Sequence, residues 1–276
     1  MGNEYVNKPL VSVIIPVFNS EEYIERCILS IENQTYENIE IIVCDDCSSD
    51  GSYEKLIEIK NRFNNIILLK NDVNMKSAYT RNKCIMKSRG EYIAIQDIDD
   101  YSDKNRIKYQ VEILENEKNI HYVSTGMVKI DGEIIGEKFC KDKTYPSNSD
   151  FLWGLPYIHG SSLFKKEALY SVDLYTVSKR MTRTEDFELF IKLHSKGLYG
   201  KNIKNALYFC NEDINNYNRR KYRYRIDEFF MRLNGYKDLK LLPLGYIFAL
   251  KPLVVGLFPR RLQYLIKRKK IYRGGI

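Results

Sequence analysis

The sequence lacks both of the glycine-rich loops that most often hold nucleotide phosphates in α/β proteins. No Gly-x-Gly-x-x-Gly follows the first apolar run, and no Gly-x-x-x-x-Gly-Lys-Ser/Thr occurs in the 276 residues. The first absence argues against a dinucleotide-dependent oxidoreductase, and the second argues against a P-loop enzyme. Any phosphate group that this protein binds must therefore be held in another way.

Signals of export are missing as well. Residues 1–8 are polar and lack the apolar stretch of a signal peptide. Of the six cysteines, Cys44 and Cys47 have redox or zinc spacing, but no second pair accompanies them and two carboxylates stand between them. We therefore expect reduced thiols and a cytoplasmic location.

Long apolar spans are also absent. The nearest candidate, residues 241–259, has Lys251 near its middle and contains three prolines, which disfavour a transmembrane helix. Residues 219–276 hold 16 Lys and Arg against three Asp and Glu, within a chain of net charge +8. We predict a basic, apolar helical tail that binds an anionic membrane surface from the cytoplasmic side. The alternatives are a lid or a subunit contact, whereas nucleic acid is not an expected partner.

Residues 10–120 repeat a cycle of β-branched runs and amphipathic stretches. The predicted strands are Leu10–Phe18, Ile39–Asp46, Ile66–Lys70 and Glu91–Asp97. Each predicted strand is followed by a segment whose apolar residues recur at helical spacing. We therefore predict an α/β fold with a mostly parallel sheet and helices on both faces. Beyond His121 we predict a hairpin turning at Asp131–Gly132, a helix beginning near Thr184 and a strand over Ala206–Cys210.

Carboxylates follow the second and fourth predicted strands. Asp45 and Asp46 end one strand, and Asp97, Asp99 and Asp100 cluster after the other. Parallel sheets bind ligands at the carboxyl ends of their strands, so both groups are candidate site residues. Three carboxylates within four residues repel one another unless a cation lies among them. The alternative is helix capping, which needs only one side chain.

Five segments carry a further pattern. They are VSVIIPVFN, IVCDDCSSDGS, the stretch from Asn74 to Asn82, GEYIAIQDIDD and TEDFELFIKL. In this order and spacing, over about residues 10–210, they resemble glycosyltransferase family 2. The resemblance implies the Rossmann-like GT-A fold and transfer of a sugar from a nucleotide with inversion at the anomeric carbon.

We divide the chain accordingly. An N-terminal extension (1–9) precedes a catalytic domain (10–215), and the basic tail (216–276) follows it. Within the catalytic domain, the resemblance implies a nucleotide-binding half (10–120) and an acceptor half (121–215).

The resemblance also implies a uridine site at the end of the first strand. Its residues would be Pro16, Phe18, Asn19 and Asp46. The Asp46 carboxylate would accept the N3–H that uracil has and cytosine lacks, and Phe18 would contact the base unless it merely packs in the core. Arg81 matches an arginine close to the donor. Lys76, where glycine is usual, would contact the diphosphate or point into solvent.

The remaining implied roles concern metal and catalysis. Asp97 and Asp99 match the D-x-D motif, with Asp99 at the position that most directly holds Mn or Mg. Asp97 would also contact the nucleotide. Asp186 matches the base that deprotonates the acceptor hydroxyl. Glu185 and His159 are further candidates, with a helix-start charge and a structural histidine as their respective alternatives.

The resulting hypothesis is a metal-dependent inverting transferase. It would move one hexosyl or N-acetylhexosaminyl unit from a UDP-sugar to a saccharide or lipid-linked acceptor in the synthesis of a bacterial capsule, O-antigen or lipopolysaccharide. Single transfer is expected because Q-x-x-R-W, typical of processive synthases, is absent and the only tryptophan is Trp153. The alternatives are a sugar-phosphate nucleotidyltransferase, whose glycine-rich loop is missing, and a non-catalytic nucleotide-sugar-binding homologue.

Overall fold

The computed structural model describes residues 8–131, 134–211 and 222–257. Most of the predicted N-terminal extension, residue 132 of the predicted hairpin turn, the domain boundary at 215/216 and the last part of the basic tail lie outside these ranges. The following description is limited to the described residues.

The first half of the chain is a parallel β/α unit. Its elements are β1 (Val11–Val17), α1 (Glu21–Glu32), β2 (Ile39–Asp45), α2 (Ser52–Arg62), β3 (Ile66–Lys70), α3 (Lys76–Lys87) and β4 (Tyr92–Ile95). Strand β1 lies between β2 and β4, and β3 pairs with the far side of β2, all in parallel. These four strands confirm the four cycles predicted from the apolar runs.

Alternation along β1 explains why both faces of the sheet are covered. Val13 and Ile15 pack with Ile24 and other apolar residues of α1, whereas Ile14 joins the opposite core together with Ile85 of α3. Each of these side chains is fully buried, and such burial is typically worth about 1.5–3 kcal/mol per side chain. A continuous apolar run is therefore what a strand with two covered faces requires.

The second half extends the same sheet with mixed strand directions. It comprises β5 (Tyr101–Ser102), α4 (Arg106–Asn116), β6 (Tyr122–Asp131), β7 (Ile134–Phe139), β8 (Leu163–Lys165), α5 (Lys166–Ser171), α6 (Glu185–Ser195) and β9 (Gly200–Asn211). The strand order is β3-β2-β1-β4-β8-β6-β9-β5, with β7 paired to β6. The antiparallel β6–β7 pair confirms the predicted hairpin, and β9 is longer than the predicted Ala206–Cys210.

Three C-terminal helices pack on this half of the molecule. They are α7 (Arg223–Asp238), α8 (Leu244–Ala249) and α9 (Lys251–Leu257). Met231, Tyr236 and Ala249 belong to the same core cluster as Phe187 and Ile191 of α6. Across the described ranges, no helix has both the length and the apolar character needed to cross a bilayer.

Candidate active site

A cavity of about 610 Å³ opens where β1, β2 and β4 end. Eight of the residues predicted from the sequence line it: Phe18, Asp46, Lys76, Arg81, Asp97, His159, Glu185 and Asp186. The last two are contributed by the start of α6, more than 80 residues beyond the end of β4. The sheet and α6 therefore bring the two predicted halves of the site to one cavity.

Three predicted residues do not line this cavity. Pro16 lies within β1, opposite Cys44 of β2. Asn19 adopts a left-handed backbone conformation (φ 48°), and its Oδ1 accepts a hydrogen bond from the Ser49 amide at 2.8 Å. Asn19 thus joins the loops that follow β1 and β2. The third residue, Asp99, lies beside Asp97 in the loop after β4.

The Asp46 carboxylate joins β2 to the start of α3. Its Oδ1 accepts hydrogen bonds from Asn71 Nδ2 at 2.8 Å and from the Met75 amide at 2.7 Å, and its Oδ2 accepts one from the Lys76 amide at 2.8 Å. Lys76 itself has a positive φ of 70°. The carboxylate is only 4 % exposed, so it fixes a strained turn at the cavity wall.

Arg81 connects the two halves of the cavity. Its Nη2 lies 2.7 Å from Asp97 Oδ1, and its Nη1 lies 3.6 Å from Glu185 Oε1, which also accepts a hydrogen bond from Ser77 at 2.6 Å. Burial raises the pKa of Asp97, but the Arg81 charge outweighs it and holds this pKa below its ordinary value. Within the described part of the chain, Arg81 Nε and Glu185 Oε2 are buried without a hydrogen-bond partner.

Asp186 stands in the first turn of α6. Its Oδ1 accepts a hydrogen bond from the Phe187 amide at 2.7 Å. Burial, reinforced by the neighbouring Glu185 charge, raises the pKa of Asp186 to about 6. A carboxylate with this pKa is ionised at neutral pH and more basic than an ordinary aspartate, as proton abstraction requires.

His159 and Gly160 form the wall beside Asp97. His159 Nε2 lies 2.7 Å from the Tyr175 hydroxyl, and burial together with the Arg81 charge lowers the pKa of His159 to about 3. The imidazole is therefore neutral. A Cβ on Gly160 would lie 2.7 Å from Tyr208 Oη and 3.0 Å from Asp97 Oδ2, so only glycine lets this segment approach the carboxylate so closely.

The three carboxylates after β4 have separate surroundings. Asp97 pairs with Arg81, and Asp100 Oδ1 accepts a hydrogen bond from the Asn211 amide of β9 at 2.8 Å. Asp100 therefore ties this loop to β9 and does not cap a helix. For Asp99, burial and the neighbouring Asp97 charge raise the pKa to about 6.

The donor set after β4 fits a hard divalent cation. Two adjacent carboxylates, Asp97 and Asp99, offer the oxygen ligands that Mg²⁺ and Mn²⁺ prefer. A cation would also relieve the repulsion that raises the Asp99 pKa. No group of three or more His, Cys, Asp or Glu side chains that could hold a metal occurs in the residues described. Further ligands would thus have to come from the substrate or from water.

Several residues of the site were not found from the sequence. Arg183 and Tyr224 line the cavity, Asn71 holds Asp46, and Tyr175 holds His159. Arg183 immediately precedes the TEDF motif and could have been included on that ground. Tyr224 belongs to a basic segment whose position over the sheet no local pattern indicates.

Comparison with known proteins identifies the fold and family. The sequence model of glycosyl transferase family 2 matches residues 12–172. The protein named "Putative glycosyltransferase EpsE" of Bacillus subtilis (strain 168) is 31% identical over 265 residues, which cover 95% of each chain. The chain belongs to glycosyltransferase family 2.

A second relative of this family 2 enzyme has a more specific name. The Escherichia coli protein WfaP, a UDP-Glc:alpha-D-GlcNAc-diphosphoundecaprenol beta-1,3-glucosyltransferase, is 30% identical over 193 residues. These residues cover 70% of this chain and 73% of WfaP.

Solved structures confirm the predicted GT-A architecture. S. aureus TarS 1–349 in complex with UDP superposes with a TM-score of 0.67 at 17% identity, covering 96% of this chain and 73% of that one. The mannosyltransferase PcManGT from Pyrobaculum calidifontis, in complex with GDP-Man and Mn²⁺, gives a TM-score of 0.60 at 19% identity. The superposition covers 95% of this chain and 80% of PcManGT. At these identities the likeness is one of fold.

Proposed function

We propose that this family 2 glycosyltransferase transfers a single sugar, with inversion, from a UDP-sugar to a saccharide or lipid-linked acceptor during the synthesis of a bacterial surface polysaccharide. The observation that carries the proposal is the convergence of Asp46, Asp97 and Asp186 on one cavity. In this proposal Asp46 recognises the base of the nucleotide, Asp97 helps to hold a cation, and Asp186 abstracts a proton.

The donor site would use Asp46 and Phe18. Asp46 Oδ2 accepts one hydrogen bond from the chain, which leaves it capacity for the uracil N3–H. The Phe18 side chain is 46% exposed, so it is available to stack on a planar base and is not simply part of the core. The structure of TarS 1–349 in complex with UDP-GlcNAc has the same fold and supports a uridine nucleotide.

Asp99, with help from Asp97, would hold Mn²⁺ or Mg²⁺. When bound, the cation would supply positive charge against the diphosphate of the departing UDP. Arg81 would add a fixed guanidinium to the same region, since Asp97 and Glu185 hold it in place. The Mn²⁺ in PcManGT supports this assignment.

Asp186 would remove the proton of the attacking hydroxyl. Inversion needs the acceptor to approach the anomeric carbon opposite the UDP, so the base must lie on the acceptor side of the cavity. Asp186 is the proposed base because it lines the same cavity but comes from the start of α6 and not from the strand ends that would hold the donor. The names of WfaP and of the teichuronic acid biosynthesis protein TuaG, 36% identical over 107 residues, support a surface-polysaccharide acceptor.

The C-terminal helices would place the enzyme on an anionic membrane, where a lipid-linked acceptor resides. Exposed apolar residues form two stripes. One consists of Tyr222, directly before α7, with Ile226 and Phe230 of α7, and the other consists of Ile247, Leu250, Val254 and Leu257 along α8 and α9. Seven Lys and Arg follow in residues 258–276 of the sequence. Apolar insertion and attraction to anionic lipid would then act together.

Calorimetry with free nucleotides tests the donor assignment. We expect UDP to bind at least tenfold more tightly than CDP or GDP, and Mn²⁺ to strengthen UDP binding. In Asp99→Ala the effect of Mn²⁺ should disappear, whereas Asp142→Ala, an exposed aspartate outside the cavity, should retain it. Equal affinities for UDP and CDP would contradict the role of Asp46, and an unchanged Mn²⁺ effect in Asp99→Ala would contradict the role of Asp99.

A further inference from the structure

A second cavity, of about 320 Å³, adjoins the first at Asp186. Arg183, Asp186 and Tyr224 line both cavities, and the remaining wall is formed by Leu155, the start of α6 and one face of α7. Asp186 therefore borders both cavities. A base that serves an acceptor while a donor occupies the first cavity needs this arrangement.

The second cavity has a fixed carboxylate in its wall. Glu228 Oε1 accepts hydrogen bonds from Arg232 Nε at 3.0 Å and Nη2 at 2.9 Å, and Glu228 Oε2 accepts one from Arg225 Nη1 at 3.2 Å. Arg232 is 6% exposed and donates through Nη1 to the Tyr236 hydroxyl at 2.8 Å. Glu228 is thus oriented before any ligand arrives, as a recognition group should be.

The charges along this wall balance. Arg183 and Arg225 contribute two positive charges, and Asp186 and Glu228 contribute two negative ones. This balance favours a neutral, hydroxyl-rich ligand over a phosphate group. Tyr224 adds an aromatic face, and the volume lies at the lower end of the range for small-molecule sites. A sugar ring has the hydroxyls and the apolar face that these groups can contact.

Building on the proposed function, we infer that the second cavity binds the terminal sugar of the acceptor. Glu228 accepts hydrogen bonds from its hydroxyls, Tyr224 packs against its ring, and the attacking hydroxyl points toward Asp186. Of the residues that line this cavity, only Leu155 falls within the range 12–172 matched by the family model. The cavity therefore lies almost entirely outside the segment that the family model matches.

Saturation-transfer NMR with simple glycosides tests this site. The probes are methyl glycosides of glucose, galactose and N-acetylglucosamine, each measured with saturating UDP. We expect at least one of them to bind the full chain, and Leu155→Trp to abolish its signal by filling the cavity. Met86→Trp, which adds the same indole at an exposed position of α3 outside both cavities, should retain the signal.

A milder pair of variants tests the recognition group. Glu228→Gln keeps the shape but exchanges a charge-assisted hydrogen bond for a neutral one, so glycoside affinity should fall about fivefold. Asp227→Asn, one residue earlier and outside both cavities, should have no such effect. UDP binding is measured by calorimetry in every variant. A variant that has lost UDP binding is misfolded or has a damaged donor site, whereas a variant that still binds UDP tests the acceptor cavity itself.

Three results would overturn the assignment. The first is an unchanged glycoside signal in Leu155→Trp, and the second is no glycoside binding by the parent protein while UDP still binds. The third is pyrophosphate binding that Leu155→Trp abolishes, because that result would assign the cavity to a diphosphate instead of a sugar.

Discussion

At the residue scale, aspartates of one chemical type take different roles because they face different neighbours. Asp46 is held by three hydrogen-bond donors, Asp97 by Arg81, and Asp100 by the backbone of β9. Asp99 and Asp186 are instead partly buried beside another carboxylate, and the pKa of each rises to about 6. Burial and neighbouring charge therefore give side chains of one chemical type different pKa values.

Replacing Asp186 with Asn tests its role as the base. The amide keeps the shape of the side chain but cannot accept the acceptor's proton, so turnover should fall about 10² to 10⁴-fold with little change in UDP affinity. Transfer assays and UDP calorimetry on Asp186→Asn provide the measurement. Turnover within a few-fold of the parent would move the base to Glu185 or elsewhere.

The raised pKa of Asp186 also predicts the direction in which Asp186→Asn changes the stability of the folded protein. Because the folded pKa of Asp186 is raised, the folded protein binds a proton more tightly than the unfolded chain between about pH 4 and 6. This contribution to stability is present at low pH and is lost as pH rises through the folded pKa. Asp186→Asn should therefore unfold at pH 7.5 at no lower temperature than the parent. A clearly lower midpoint would assign Asp186 a structural role.

The pH profile gives an independent measurement. A base with a pKa of about 6 in the free enzyme must lose its proton to act, so kcat/KM should decrease tenfold per pH unit below about pH 6. The Glu185 charge contributes to that raised pKa, and Glu185→Gln should move the acidic limb toward lower pH. If the acidic limb of the activity profile does not shift in Glu185→Gln, a group other than Asp186 controls that limb.

At the element scale, β2 and α3 depend on each other through Asp46. The carboxylate accepts hydrogen bonds from the Met75 and Lys76 amides at the start of α3, where Lys76 has a positive φ. The conformation of this turn is therefore set by a side chain from the neighbouring strand. The cavity wall that would meet the nucleotide is built by the same interaction.

Asp46→Asn should therefore affect both stability and binding. The Nδ2 group would face an amide donor, and leaving a buried donor unsatisfied costs about 1–3 kcal/mol. We expect a lower unfolding midpoint in denaturant together with weaker UDP binding, whereas Asp72→Asn, an exposed neighbour of Asn71, should change neither. A variant with normal stability and weak UDP binding would assign Asp46 to the ligand alone.

The elements could be predicted to different degrees from the sequence. The runs that form β1 to β4 are apolar on both faces, and the residues at their ends are fixed by strand direction, so Asp46 and Asp97 could be placed near each other. Strand β5 has two residues and no apolar pattern, and β8 has three. The second cavity depends on how α7 crosses α6, a tertiary contact that local periodicity does not encode.

At the scale of the whole molecule, the C-terminal helices belong to the catalytic core as well as to the surface. Ala249 is fully buried, and a Cβ on Gly245 would lie 2.8 Å from Tyr236 Cβ. Helix α8 therefore packs directly on α7. A truncation that begins at residue 241 would expose this packing, so membrane attachment has to be tested by a shorter deletion.

Deleting residues 258–276 should weaken membrane binding and leave the fold intact. Each basic residue near an anionic surface contributes about 1 kcal/mol, so losing seven should lower binding to phosphatidylserine vesicles more than tenfold at low salt. Ile247→Glu should also weaken it, because that side chain is 68% exposed on the apolar stripe. Sedimentation with vesicles is the measurement. A full chain that stays in the supernatant would contradict the membrane proposal.

The two faces of α7 set a length scale for the substrate. Tyr224, Glu228 and Met231 line the second cavity, whereas Ile226 and Phe230 are exposed on the opposite side of the helix. A helix with its side chains is about 10–12 Å across. An enzyme docked on the membrane by the face of α7 that carries Ile226 and Phe230 would hold its acceptor pocket about one helix diameter above the lipid. Short saccharides anchored close to the bilayer would reach it, and long chains would overshoot it, so the enzyme would act early in the growth of a polymer.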